Sequence, residues 1–71
     1  MQSIADKLGR GIRSHRKAQN MSSYDLARQA GISRRYITAV ENGKQSPTYP
    51  VVKSIAEALG VGIDELEAND D

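Results

Sequence analysis

Two adjacent arginines, Arg34 and Arg35, are the residues of this chain best equipped to engage another molecule. A guanidinium is planar, permanently charged, and presents its donors as a fixed fork. It can donate two parallel hydrogen bonds to the O6 and N7 edge of guanine, or pair with a phosphate. Tyr36 and Thr38 follow closely, and Ser22, Ser23, Tyr24, Asn42 and Lys44 flank them. Catalytic and metal-binding sets are missing by contrast. The chain has no Cys, and His15 is its only His, which makes a metal site a poor expectation. His15 reads as a partly buried residue at the edge of a core. The sequence has no nucleophile–base pair and no phosphate-cradling glycine loop. Asp64, Glu65 and Glu67 read as acids in the first turn of a helix. No enzyme activity, cofactor or metal is expected.

The elements that position the arginines can be read from Ser22 to Gln45. Ser22 or Ser23 can cap a helix whose inward face is Leu26, Ala27 and Ala30. Gly31 ends it, because the sharp turn needs a positive φ without a Cβ penalty. Ile32 is the apolar residue of the turn, and Ser33 caps the next helix. In that helix Ile37 and Val40 point inward. Arg35 and Ala39 lie opposite them on a 3.6-residue wheel, flanked by Thr38. Asn42-Gly43 stops it. Two short helices, a tight turn and an outward-facing arginine pair describe a helix-turn-helix unit at residues 22–41.

The flanks supply a core. Ile4, Leu8 and Ile12 recur every four residues as one apolar stripe, with Ser3 as a candidate N-cap and Asn20 as a helix end. Thr48 is placed to cap a fourth helix with Pro50 in its first turn. Its apolar face is Val51, Val52, Ile55, Ala56 and Leu59, and Gly60 ends it. Ile63 and Leu66 mark a short last helix. The expectation is an all-α, compact bundle of about five helices. Residues 1–67 form one domain and residues 68–71 an acidic tail.

Composition narrows the partners. With 71 residues and three Tyr as the only aromatics, the core must be small and aliphatic. Residues 1–44 hold nine Lys/Arg against three acids, a net of +6. Residues 45–71 hold one Lys against six acids, a net of −5. The basic half suits a polyanion, and the acidic half should face away from it. No apolar run reaches the roughly 20 residues of a membrane helix, and the N-terminus shows no signal-peptide core. No membrane partner is expected, and the location expected is the cytoplasm, at the nucleoid.

The ordered fragments resemble the lambda-repressor-like helix-turn-helix family of phage repressors, Cro proteins and xenobiotic-response-element-type regulators. They are Gly11-Ile12-Arg13 with Arg16, Leu26-Ala27, Ala30-Gly31-Ile32-Ser33, Val40-Glu41-Asn42-Gly43-Lys44, Ser46-Pro47-Thr48, and Ala58-Leu59-Gly60-Val61 leading to Asp64-Glu65-Leu66. The resemblance spans roughly Leu8 to Leu66. It implies that Arg34 and Arg35 stand where family members read base edges, with Ala39 at another base-facing position. Ser23 replaces a Gln that packs against a phosphate. Asn42 and Lys44 match positions that hold the DNA backbone. Arg16 and Glu41 match a buried ion pair. Val61, Ile63 and Leu66 match a dimer interface. His15 replaces an aliphatic residue and Asn20 a glycine. The Ser33-to-Thr38 segment is also similar to that of restriction–modification controller proteins.

From the residues alone, base contact is open to Arg34, Arg35, Tyr36 and Thr38, the resemblance adds Ala39, and either arginine can be the base reader. Tyr36 is divided between covering the core and reaching DNA. Ser22, Ser23, Tyr24, Asn42 and Lys44 suit phosphate contacts, which position a protein without reading sequence. The function expected is sequence-specific binding of double-stranded DNA by a transcriptional repressor. A homodimer on an inverted repeat would supply the contacts that one small domain lacks. The alternatives are an antitoxin that holds a toxin, a restriction–modification controller protein, and the targeting domain of a longer protein.

Overall fold

The computed structural model describes residues 4–67, and every element in them is helical. They form α1 (Ile4–Ala18), α2 (Ser23–Ala30), α3 (Arg34–Glu41), α4 (Tyr49–Leu59) and a closing 3-10 turn (Ile63–Glu65). Ser3 and the tail at residues 68–71 lie outside the described residues.

Each boundary has a local cause. Ser22 caps α2 reciprocally: its Oγ accepts from the Asp25 N–H at 2.9 Å, and its own N–H donates to Asp25 Oδ2 at 3.2 Å. Ser33 caps α3 by accepting from the Tyr36 N–H at 3.0 Å. Gly31 follows α2 with φ 74°, and the Ile32 N–H returns to the Ala27 carbonyl at 3.0 Å. That closure makes the turn short enough to set α3 across α2. Asn20 takes the left-handed conformation expected of it, φ 58°. Thr48 has the backbone of an N-cap, but its side chain makes no capping bond. Pro50 at the second helical position removes one of the two N–H groups an N-cap oxygen can use and leaves that of Val51.

The core is aliphatic, as the composition requires. Ile12, Leu26, Ile37, Val40, Ile55, Ala56, Leu59 and Leu66 converge with Ala27, each at most 3% exposed. α3 packs on α1 and α2, α2 also packs on α4, and the 3-10 turn closes against α4. Burial of such side chains, at about 25 cal/mol per Å², holds the unit together with no disulfide or metal site among the described residues.

Two expectations need correction. The apolar stripe of α1 does not begin at Ile4, which is 74% exposed. α1 meets the end of α3 at Gly9, where a Cβ would collide with the Val40 carbonyl oxygen and lie 2.8 Å from that of Glu41. Ile4 stands five residues earlier, about 7.5 Å along the helix axis, beyond that contact. The last element is a 3-10 turn of three residues rather than a fifth α-helix. Ile63 and Leu66 are three apart, the spacing that 3-10 geometry eclipses, so one turn suffices to aim both at the core.

Candidate nucleic-acid interface

α3 is fixed from beneath. Ile37 and Val40 are 0% and 1% exposed and seat the helix in the core. Its other face therefore has no freedom to turn inward. Arg34 and Arg35 are its first two residues and both are exposed, as is Thr38 one turn further on. Ala39 is half-buried. Tyr36 packs against the core while keeping part of its surface accessible.

Arg34 and Arg35 differ in one respect. Arg34 Nε donates to Ser23 Oγ at 3.3 Å, which ties the start of α3 to the start of α2. Ser23 is half-buried, while Ser22 and Tyr24 are exposed beside it. These groups thus gather along one edge with the α2 N-terminus. Asp25 sits there too. Hydrogen bonds from the Ser22 backbone and hydroxyl, and the charge of Arg28, hold its carboxyl below the usual carboxylate value.

The other end of α3 is anchored by charge. Glu41 is buried, its side chain 3% exposed. Arg16 closes on it with two bonds, Nε to Oε2 at 2.7 Å and Nη2 to Oε1 at 2.9 Å. A third bond runs from Arg16 Nη1 to the Met21 carbonyl at 2.9 Å. The Glu41 hydrogen bonds raise the Arg16 pKa despite its burial, which keeps the guanidinium charged. Arg13 also reaches Glu41, Nε to Oε1 at 3.3 Å, and donates from Nη2 to Asn42 Oδ1 at 2.7 Å. Asn42 and Lys44 are both exposed just past the helix.

The expected ion pair Arg16–Glu41 is thus present, but it is part of a larger set. Arg13 was not singled out by its sequence position. Its signal was spacing: Gly9, Arg13 and Arg16 lie four and three apart, on one stripe of α1. Gln19 is a second such residue, donating from Nε2 to the Leu59 carbonyl at 2.6 Å. His15 is half-buried, and its Nε2 lies 2.7 Å from the Glu65 carbonyl oxygen. A carbonyl only accepts, so Nε2 carries the hydrogen. These two bonds pin α1 and the turn that follows it to the C-terminal part of the fold.

Leu66 corrects the interface expectation. It is 0% exposed within the chain's own core. A side chain with no accessible surface has none left to bury against a second copy. Val61 and Ile63 remain half-buried.

Two short helices set across a tight glycine turn, with the second anchored below and cationic above, define a helix-turn-helix DNA-binding domain. The helix-turn-helix family model matches residues 12–66, and the chain belongs to that family of transcriptional regulators. An uncharacterized HTH-type transcriptional regulator of Methanocaldococcus jannaschii is 34% identical over 55 residues, 78% of this chain and 83% of that one. The immunity repressor of Bacillus phage phi105 is 27% identical over 59 residues, 83% of this chain and 41% of that protein. Among solved structures, the restriction-modification controller protein C.AhdI of Aeromonas hydrophila superposes with a TM-score of 0.85 at 31% identity, covering 87% of this chain and 94% of that one. No helix of the described residues is long and apolar enough to cross a membrane.

Proposed function

We propose that this protein is a repressor that lays α3 in the major groove and binds an inverted repeat as a homodimer. The observation that carries the reading is the exposed Arg34-Arg35 pair at the start of a helix whose opposite face is locked in the core. The first turn of such a helix is where base edges are met. Arg34, Arg35, Thr38, Ala39 and the exposed part of Tyr36 face the bases. Ser22, Ser23, Tyr24, Asn42 and Lys44 hold the phosphates on either side. Val61 and Ile63 supply the apolar part of the dimer contact, supported from below by Leu66. Repression is favoured by the likeness to a phage immunity repressor. The activity places the protein at the nucleoid, in the cytoplasm.

A second reading shares this site. The likeness to C.AhdI covers most of both chains, which supports a restriction–modification controller protein using the same DNA contacts. The acidic tail that suggests a toxin-holding arm lies outside the described residues.

Selection from a random duplex library at moderate salt tests the proposal. The expected result is an inverted repeat with guanine-containing half-sites about one helical turn apart. Enrichment of single half-sites overturns the dimer. No enrichment, with only salt-sensitive binding, leaves the phosphate contribution alone and overturns sequence reading.

A further inference from the structure

We propose that Arg13 is a positioning residue for DNA binding, setting the side-chain amide of Asn42 toward a backbone phosphate. The inference rests on the DNA-binding reading above. Arg13 belongs to α1, outside the helix-turn-helix unit, and its side chain is 42% exposed. Its Nε is held by Glu41 Oε1 at 3.3 Å, and Glu41 is itself clamped by Arg16. Its Nη2 donates to Asn42 Oδ1 at 2.7 Å. The order from the core outward is therefore Arg16, Glu41, Arg13, Asn42.

Chemistry fixes the orientation at the end of this chain of bonds. A guanidinium has donors and no acceptor. Asn42 must therefore turn its oxygen to Arg13, and its Nδ2 hydrogens away from it. A reversed amide would set N–H against N–H. The short, charge-assisted bond holds that choice. Asn42 lies one residue past the end of α3, exposed, in an open polar cleft of about 310 Å³ lined also by Asp6, Arg10, Arg13 and Glu41. A phosphate oxygen needs donors, and an amide held with its oxygen inward presents them. Left unheld, an exposed amide rotates, and half its orientations offer an acceptor to an anion.

The rival account is that Arg13 meets a phosphate directly, as a cation. Salt dependence separates the two. A neutral amide displaces no counterion, whereas each Lys or Arg on a phosphate adds about 0.9 to the slope of log affinity against log salt. The experiment measures binding of Arg13→Met, Asn42→Ala and the double variant to the selected duplex, across a salt series, with thermal melts alongside. Arg13→Met is expected to weaken binding roughly five- to tenfold, the size of one ordinary net hydrogen bond, with the salt slope unchanged. In the Asn42→Ala background the same substitution is expected to change affinity less than about twofold, the mark of two residues acting as one. Arg13→Lys keeps the charge without the fork and is expected to stay weakened. It carries the test alone if Arg13→Met melts too low to assay. Additive losses, a slope flatter by about one, or full recovery by Arg13→Lys each overturn the proposal. Failure of the DNA reading is distinguishable, because wild type would then select no duplex.

Discussion

At its N-terminal end α3 holds Arg34 and Arg35 out in solvent, whereas at its C-terminal end Arg13 and Arg16 reach in from α1 to close on Glu41. All four are the same residue type, within one small domain. What separates them is a carboxylate. Glu41 is buried and must be paired, so it takes two bonds from one guanidinium and one from a second. Arg34 meets only the neutral hydroxyl of Ser23, and neither Arg34 nor Arg35 is paired with a carboxylate among the described residues. One pair spends its hydrogen bonds inside the molecule, and the other keeps them for something outside it. Arg13 stands between the two, with one nitrogen on the buried acid and another on an exposed amide.

The largest expected effect lies at the anchored end. Glu41→Ala leaves Arg16 nearly buried and uncompensated, and should cost about 3 kcal/mol, the lower end for breaking a buried pair. In a domain of this size that lowers Tm by more than about 10 °C. Thermal melts that put Glu41→Ala level with wild type would break the comparison.

The exposed end should respond in the opposite way. Arg34→Ala and Arg35→Ala should each leave stability within about 0.5 kcal/mol of wild type. A variant that removes a bidentate base contact should lose about 1–3 kcal/mol of DNA binding and relax specificity at one position. A variant that removes a phosphate contact should weaken all sequences alike. Binding by each variant to the selected site and to its single-base variants assigns the two roles. A large stability loss in either would show that the pair is structural after all.

The smallest effect sharpens the frame that carries Arg34. The Asp25 carboxyl lies below its ordinary value because Ser22 donates to it, so on acidification the unfolded chain takes up the proton first. The capping interaction is therefore present above the ordinary carboxylate range and lost as the pH falls through the folded value. Asp25→Asn should lower Tm slightly at about pH 7, and the gap should close towards about pH 2. A gap that persists in acid would mean that the charge of Asp25 plays no part.

Local signals carried much of the fold and the face of the site. Ser22, Ser33, Gly31 and Gly60 act through their own backbone neighbours, so helix limits were legible without the tertiary structure. The period of Ile37 and Val40 set which side of α3 is buried, and hence which arginines are not. Less was legible where one residue's role depends on a distant one. Gly9 looks like a weak point in a helix, yet its missing Cβ lets α1 press on the carbonyls of Val40 and Glu41. Leu66 has the same apolar signature whether it faces the core or a second copy, and only packing shows that the core takes all of it.

The sequence by itself determined the all-helical architecture, the helix-turn-helix segment and the exposure of Arg34 and Arg35, because capping, glycine turns and a 3.6-residue period act over a few residues. Tertiary structure alone decided that Arg13 shares Glu41 and grips Asn42, that Ile4 falls beyond the end of α3, and that Leu66 belongs to the core. Each depends on the distance between helices far apart in the chain, and no local preference encodes that distance.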